Sequence, residues 1–364
     1  MISFNVGALR PANGAACPDY MSFANDLVRQ TLARHGLAGD VAALPNGPAP
    51  HTMPLLEEMM ARLRSPGPLS RAPMPELPEG AEFVSDHFEC EAGSRRFMTY
   101  IPSTAAEGVS GIVLMLHGCT QTPEDFSVGT GMNALAEEHR FVVIYPHQSR
   151  GDNAQSCWNW FSRGDQRRDR GEPAILAGLT RQAMERYGVS REETFVAGLS
   201  AGAAMALILG ETYPDVFAGV GAHSGLPYGA ARDVPSAFAA MAGQEGNFTA
   251  PRSDTTPPPT IVFHGTADSL VHPSNGDRIA RQVTDRAARE TIITEESGTA
   301  GGRAFARTVT MRDDRTILLE QWQIDGLGHA WSGGNAAGSH TDPAGPDASA
   351  EMIRFFFETS AGAH

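Results

Sequence analysis

The sequence predicts an α/β domain built on a mostly parallel central sheet flanked by helices, preceded by an N-terminal helical extension. Three observations carry this. From residue 111 onward strand-like and helix-like segments alternate, the pattern of a parallel sheet covered on both faces. Runs such as GIVLML at 111–116 and FVVIY at 141–145 are continuously apolar, as strands buried on both sides must be. The pentapeptide Gly198-Leu199-Ser200-Ala201-Gly202 joins one such strand to a helix through a turn whose glycines relieve the crowding.

The elements follow in order. Residues 1–80 stand apart as an extension, and 81–364 form one large domain. In the extension, apolar residues recur at helical spacing over Phe23–Leu37 and Met53–Leu63, on connectors rich in Pro and Gly. Such an arm packs on the main domain, shields its site or joins two copies of the chain. Its simplest reading is a surface-packed extension. Phe83–Cys90 and Arg96–Ile101 alternate around EAGS and read as a hairpin. After strand 111–116 come a helix at Met132–His139 and the strand Phe141–Tyr145. Pro173–Tyr187 is a helix with Pro in its first turn, where a missing N–H does no harm. Thr194–Ala197 and Ala201–Tyr213 are the strand and helix around Ser200, and Pro214 ends the helix. Val216–His223 holds a strand, Thr260–His264 another, and Asp277–Glu290 a helix. Thr308–Arg312 and Ile317–Ile324 are further strands, and Pro346–Thr359 is the last helix. The polar, Pro-rich stretch 245–260 is a loop or the end of a lid.

Composition narrows the function. Hydrophobic residues make up 41%, enough for a sizeable core. A formal net charge of −14 argues against nucleic acid and anionic membrane surfaces, both of which need basic patches. The longest apolar runs are too short to span a bilayer. No Gly-rich dinucleotide signature and no ligand spacing for a metal is present, so neither cofactor nor metal is expected. The four cysteines, at 17, 90, 119 and 157, are spaced too irregularly for a zinc site. The first seventeen residues lack a basic region and an apolar core, so a cytoplasmic location is expected.

The chemistry centres on Ser200. A strand-to-helix turn lifts its hydroxyl above the sheet, and the helix N-terminus offers the Ala201 N–H to a developing oxyanion. Serine is a poor nucleophile unless a base takes its proton. Asp268 follows strand TIVFH, at a strand C-terminal end where open α/β sheets place their ligands. Asp215 lies where a helix has just ended, and Asp325 is only four residues before His329. Beyond Asp268 the histidines are His272, His329, His340 and His364, and only His329 follows a strand in a glycine-flanked loop. His329 is therefore expected as base and then acid, with Asp268 orienting its ring. Cys119, in the loop after the first buried strand, is the expected second oxyanion donor through its N–H. Trp331, Trp158, Trp160 and His117 are expected to contact the substrate, since rigid aromatic surfaces suit an acyl chain or phenolic ring.

Five segments, LHGCTQ at 116–121, SCWNWF at 156–161, GLSAGAAM at 198–205, HGTADSLVHP at 264–273 and GLGHAWSGG at 326–334, resemble the polyhydroxybutyrate depolymerase family of serine esterases, which also contains feruloyl and acetylxylan esterases. The resemblance covers roughly residues 83–358 and leaves the extension outside. It implies an α/β-hydrolase fold, with 81–364 as the catalytic domain, Ser200, Asp268 and His329 as the triad, and Cys119 and Ala201 as oxyanion donors. It also implies a Cys119–Cys157 disulfide, against which stands the reduced state of thiols in the cytoplasm. Without a recognised leader or polymer-binding domain, soluble oligomers, short esters or an intracellular granule are the expected substrates. The leading function is hydrolysis of hydroxyalkanoate esters through an acyl-enzyme. Feruloyl or acetylxylan ester hydrolysis is the nearest alternative, followed by a peptidase and a non-catalytic binding protein. The extension is a candidate contact for self-association.

Overall fold

The computed structural model describes residues 74–244, 257–286 and 291–361. The two helices expected in the N-terminal extension, their Pro-rich connectors and most of the 245–260 loop lie outside these residues.

The described chain opens with an antiparallel hairpin, β1 (Glu82–Cys90) and β2 (Gly93–Ile101). It continues through β3 (Ile112–Leu116), α1 (Pro123–Thr130), α2 (Met132–His139), β4 (Val142–Pro146), α3 (Gly171–Tyr187), β5 (Thr194–Leu199) and α4 (Ala201–Thr212). Then come β6 (Gly219–His223), α5 (Val234–Met241), β7 (Thr260–Gly265), α6 (Ser274–Thr284), β8 (Thr291–Ala300), β9 (Arg303–Arg312) and β10 (Ile317–Ile324). The bridge pair β11 (Trp331–Ser332) and β12 (Thr341–Asp342) and the helix α7 (Ala348–Ala361) complete it.

One sheet runs in the order β1-β2-β4-β3-β5-β6-β7-β10-β9-β8. From β4 to β10 each neighbouring pair is parallel, and an antiparallel hairpin closes either edge. Strand alternation divides the core into two layers. Ile112, Leu114 and Leu116 face α3 and α4, whereas Val113 and Met115 face α1, α2 and α7. All five residues of β3 are buried, which is why its sequence shows no polar alternation. In α4 every residue from Ala201 to Gly210 is buried, and its small side chains let the helix lie close against the sheet.

The structure adds elements that periodicity did not reveal. Helix α1 is one of them, a short segment with a Thr122 N-cap that accepts from the Asp125 N–H. Strand β8 is exposed along nearly its whole length, so no apolar pattern marks it, and its pairing with β9 makes it a strand. Helix α6 begins three residues before the expected start, at Ser274, and ends at Thr284. No described helix is long and apolar enough to cross a membrane. Because β3, β5, β7 and β10 run parallel, the loops leaving their C-terminal ends gather on one edge of the sheet. Those loops carry Cys119, Ser200, Asp268 and His329.

Candidate active site

Ser200 occupies the single-residue turn between β5 and α4 at φ 58° and ψ −117°, a conformation that side chains rarely adopt. Two hydrogen bonds and two close backbone approaches impose it. The Ser200 N–H donates to the His223 carbonyl at 2.9 Å, and the Ser200 carbonyl accepts from Ala204 N–H at 3.0 Å. A Cβ at Gly202 would stand 2.0 Å from the Leu116 carbonyl oxygen, and one at Gly198 2.5 Å from the Gly202 carbonyl carbon. Both glycines are therefore required by close backbone approach. Ala201, first residue of α4, has an N–H that no intrahelical carbonyl can reach, and the helix dipole places positive potential there.

Asp268 and His329 meet across two loops. Asp268 Oδ2 accepts from His329 Nδ1 at 2.8 Å, while Oδ1 accepts the N–H groups of Leu270 at 3.0 Å and Val271 at 2.9 Å. The Asp268 side chain is fully buried and that of His329 is 10% exposed. Burial alone would raise the Asp268 pKa, but the nearby His264 ring and the hydrogen bonds from His329 and the Val271 N–H hold it well below the ordinary carboxylate range. It therefore stays ionised and fixes the His329 tautomer with the proton on Nδ1, which leaves Nε2 as a base. The two loops are clipped together. Ala267 N–H donates to the Leu327 carbonyl at 3.0 Å and Thr266 N–H to the Ile324 carbonyl at 2.9 Å. A side chain at Gly265 would collide with the Leu327 carbonyl at 2.1 Å.

The loop after β3 is held from several sides. His117 Nε2 accepts the Gln148 backbone N–H at 3.1 Å, so the ring proton sits on Nδ1 and is donated to the Gly118 carbonyl at 2.8 Å. Burial pushes the His117 pKa down to about 4, so the ring is neutral at neutral pH. Gly118 N–H donates to Gln121 Oε1 at 2.9 Å, and Gln121 N–H reaches the Gly118 carbonyl at 3.3 Å. The Gly118–Cys119 peptide is thereby clamped, and in a trans peptide the Cys119 N–H points away from that carbonyl. Cys119 is bonded to Cys157 as a disulfide, and Thr120 N–H donates to the Gln155 carbonyl at 3.0 Å.

Four residues expected to contact the substrate are buried instead. Trp331 is fully buried, packed edge-on against Phe126 and stacked on His223, with Nε1 donating to Ser349 Oγ at 3.1 Å. Trp158 is also fully buried and donates Nε1–H to the His117 carbonyl at 3.0 Å. Trp160 is 6% exposed and His117 only 1%. Sequence proximity to His329 and Cys119 was a poor guide. Large flat side chains beside a backbone turn are drawn beneath it, where they bury more apolar area than at its mouth. The structure also brings in residues the sequence reading passed over. His264, which opens the HGTAD segment, sits at the end of β7 with Nε2 2.9 Å from the Val271 carbonyl and 3.5 Å from Asp268 Oδ2. His223, whose carbonyl accepts the Ser200 N–H, is buried, and its pKa is lowered to about 3 by burial and by the neighbouring His264 and His329.

Residues 96–303, more than half of the chain, match the Esterase PHB depolymerase family. The chain belongs to this PHB depolymerase esterase family. Among its relatives is the poly(3-hydroxyalkanoate) depolymerase C of Paucimonas lemoignei, 32% identical over 253 residues, covering 67% of this chain and 60% of the relative. A probable acetylxylan esterase A of Aspergillus flavus is 28% identical over 199 residues, 50% of this chain and 64% of the relative. The chain thus spans less than two thirds of the length of either relative. An acetyl xylan esterase structure from Aspergillus awamori superposes with a TM-score of 0.55 at 21% identity, covering 68% of this chain and 93% of that one. The fold of this PHB depolymerase family member is accordingly that of the α/β-hydrolase esterases.

Proposed function

We propose that this chain hydrolyses carboxylic esters through an acyl-enzyme on Ser200, with hydroxyalkanoate oligomers as the preferred substrates. The observation that carries the reading is the strained Ser200 elbow at the start of α4, set on the same sheet edge as the Asp268–His329 pair. In the proposed reaction Ser200 Oγ attacks the ester carbonyl carbon and its proton passes to His329 Nε2. The carbonyl oxygen becomes an oxyanion facing the N–H groups of Cys119 and Ala201. Collapse breaks the bond to the alcohol oxygen, which takes the proton from His329. Water then attacks the acyl-enzyme, losing its proton to the same nitrogen, and the acid leaves. Asp268 stays ionised throughout and stabilises the imidazolium.

The Paucimonas lemoignei relative, named as a poly(3-hydroxyalkanoate) depolymerase, supports the oligomer as substrate, and the acetylxylan esterases support the alternative. Hydrolysis of a hydroxybutyrate oligomer, methyl ferulate and an acetylated sugar by the wild type and Ser200→Ala separates them. Preference for the oligomer, abolished by the substitution, is the expected result. Preference for the ferulate or acetyl ester moves the function to plant-polymer esters, and full activity in Ser200→Ala overturns the site. The Cys119–Cys157 disulfide supports an oxidising compartment over the cytoplasmic location expected above. Thiol titration of the protein taken directly from its native host decides between them.

A further inference from the structure

Beneath the loop that carries Cys119 lies a buried carboxylate that the acyl-transfer scheme does not use. Glu172 stands in the first turn of α3 with its side chain 5% exposed. Its Oε1 accepts from Gln148 Nε2 at 2.5 Å and from Asn159 Nδ2 at 2.8 Å, and its Oε2 accepts the Asn159 backbone N–H at 2.8 Å. Arg95 of β2 is 3.8 Å from Oε1 and lies over the Trp158 ring, 5.6 Å from its centroid. Acidic side chains are almost never fully buried unless paired, and this one is met by donors from two separate segments.

Both segments lead to Cys119. Gln148 Nε2 also donates to the Cys157 carbonyl at 3.0 Å, and the Gln148 backbone N–H holds His117 Nε2. His117 in turn fixes the peptide that precedes Cys119. Asn159 accepts from Asn153 Nδ2 at 2.8 Å and so closes the loop that carries Cys157, the disulfide partner of Cys119. We propose that Glu172 is a positioning residue for the oxyanion hole, holding residue 148 and the 153–159 loop so that His117 and Cys157 together aim the Cys119 N–H. This rests on the ester-hydrolase reading above. Glu172 acts through the loop and does not touch the reacting atoms.

The donors on Glu172 are set for the ionised carboxylate, although burial makes that form costly. Three N–H donors converge on it, and a protonated carboxyl would have to turn its O–H toward one of them. Burial raises the Glu172 pKa to about 7, against the bond from Asn159 and the charge of Arg95. Asp165, whose Oδ1 accepts the Glu172 N–H at 2.8 Å, adds like charge, and Asp152 pairs with Arg95 at 2.7 Å. On the far side of Gln148 lies His117, neutral at neutral pH. The loop should therefore loosen as pH falls through about 7.

Glu172→Gln tests this, because it sets an amide donor among those three donors. With a soluble p-nitrophenyl ester, kcat should fall about 10-fold while KM stays within about twofold. Affinity for an aryl boronic acid, which forms a tetrahedral adduct on serine, should fall by a similar factor. The part of the wild-type acid limb near pH 7 that comes from Glu172 should disappear. If Glu172→Gln does not accumulate as folded protein, Gln148→Leu keeps the carboxylate and the N–H to His117, and should show the same pattern more weakly. Unchanged kcat and boronate affinity in a folded variant overturn the proposal, as does a loss confined to KM. Ser200→Ala separates the two readings. Activity retained there removes the esterase scheme itself, whereas an inactive Ser200→Ala beside a fully active Glu172→Gln removes only the positioning role.

Discussion

Oδ2 of Asp268 lies 2.8 Å from Nδ1 of His329, although 61 positions separate them in the chain. The contact is made because β7 and β10 are parallel neighbours and their C-terminal loops leave side by side. A neutral amide in place of the carboxylate keeps the shape but no longer holds the ring proton on Nδ1 or stabilises the imidazolium. Asp268→Asn should therefore lower kcat by about 10⁴-fold with a near-native fold. Steady-state kinetics on a soluble ester, with far-UV circular dichroism as the folding control, checks this.

Trp331 is a core residue, so its substitution should be felt in stability and not in substrate binding. Trp331→Phe removes the bond to Ser349 and part of the packing against Phe126 and His223. A loss of about 2 kcal/mol in unfolding free energy is expected, with KM unchanged. Denaturant unfolding and KM measured on the same preparations decide it, and a KM rise without loss of stability would return Trp331 to the pocket.

The Cys119–Cys157 disulfide closes a loop with a sequence separation of 38. Chain-entropy arithmetic gives it a stabilisation of about 4 kcal/mol, lowered by any native strain. Reduction, or Cys157→Ser, should shift the urea midpoint down by a corresponding amount. It should also slow ester turnover, because the loop that aims the Cys119 N–H loses one of its ties. Equal midpoints with and without reductant would contradict this.

Gly202→Ala should prevent the elbow from forming as it stands. The added Cβ meets the Leu116 carbonyl oxygen at 2.0 Å, a backbone atom that cannot swing away. Helix α4 must then move off β3, at a cost of about 1–3 kcal/mol and with most activity lost. Thermal unfolding and kcat together report both effects.

Glu172 should leave a mark on the pH dependence of stability. Its folded pKa of about 7 stands above the ordinary glutamate value of 4.5, so the folded state holds that proton more tightly. The resulting stabilisation is full below about pH 4.5 and is lost as pH rises through about 7. The stability difference between wild type and Glu172→Gln should accordingly shift against the wild type between pH 5 and pH 8, on the order of 2 kcal/mol. Denaturant titrations at those two pH values measure it. The protonated form favours stability and the ionised form favours the loop geometry, so the two profiles should run in opposite directions.

The parallel sheet, the glycine-bounded turn at Ser200 and the placement of Asp268 and His329 at strand ends are legible in the amino-acid order. These are local properties. Continuous apolar runs such as 112–116 follow from burial on both faces, and a turn that admits only glycine at 198 and 202 is written in those two positions. Strand β8 escaped because its exposed side chains carry no apolar pattern and only its partner strand makes it one. What packs around the site emerges only when the distant segments fold together. Periodicity says that a tryptophan is buried on some face, but not that Trp331 stacks on His223 or that Trp158 caps the His117 carbonyl. Nor could it join Glu172 to Gln148 and Asn159. Such contacts depend on which strands become neighbours, and that is set by the packing of the whole sheet and its two helical layers.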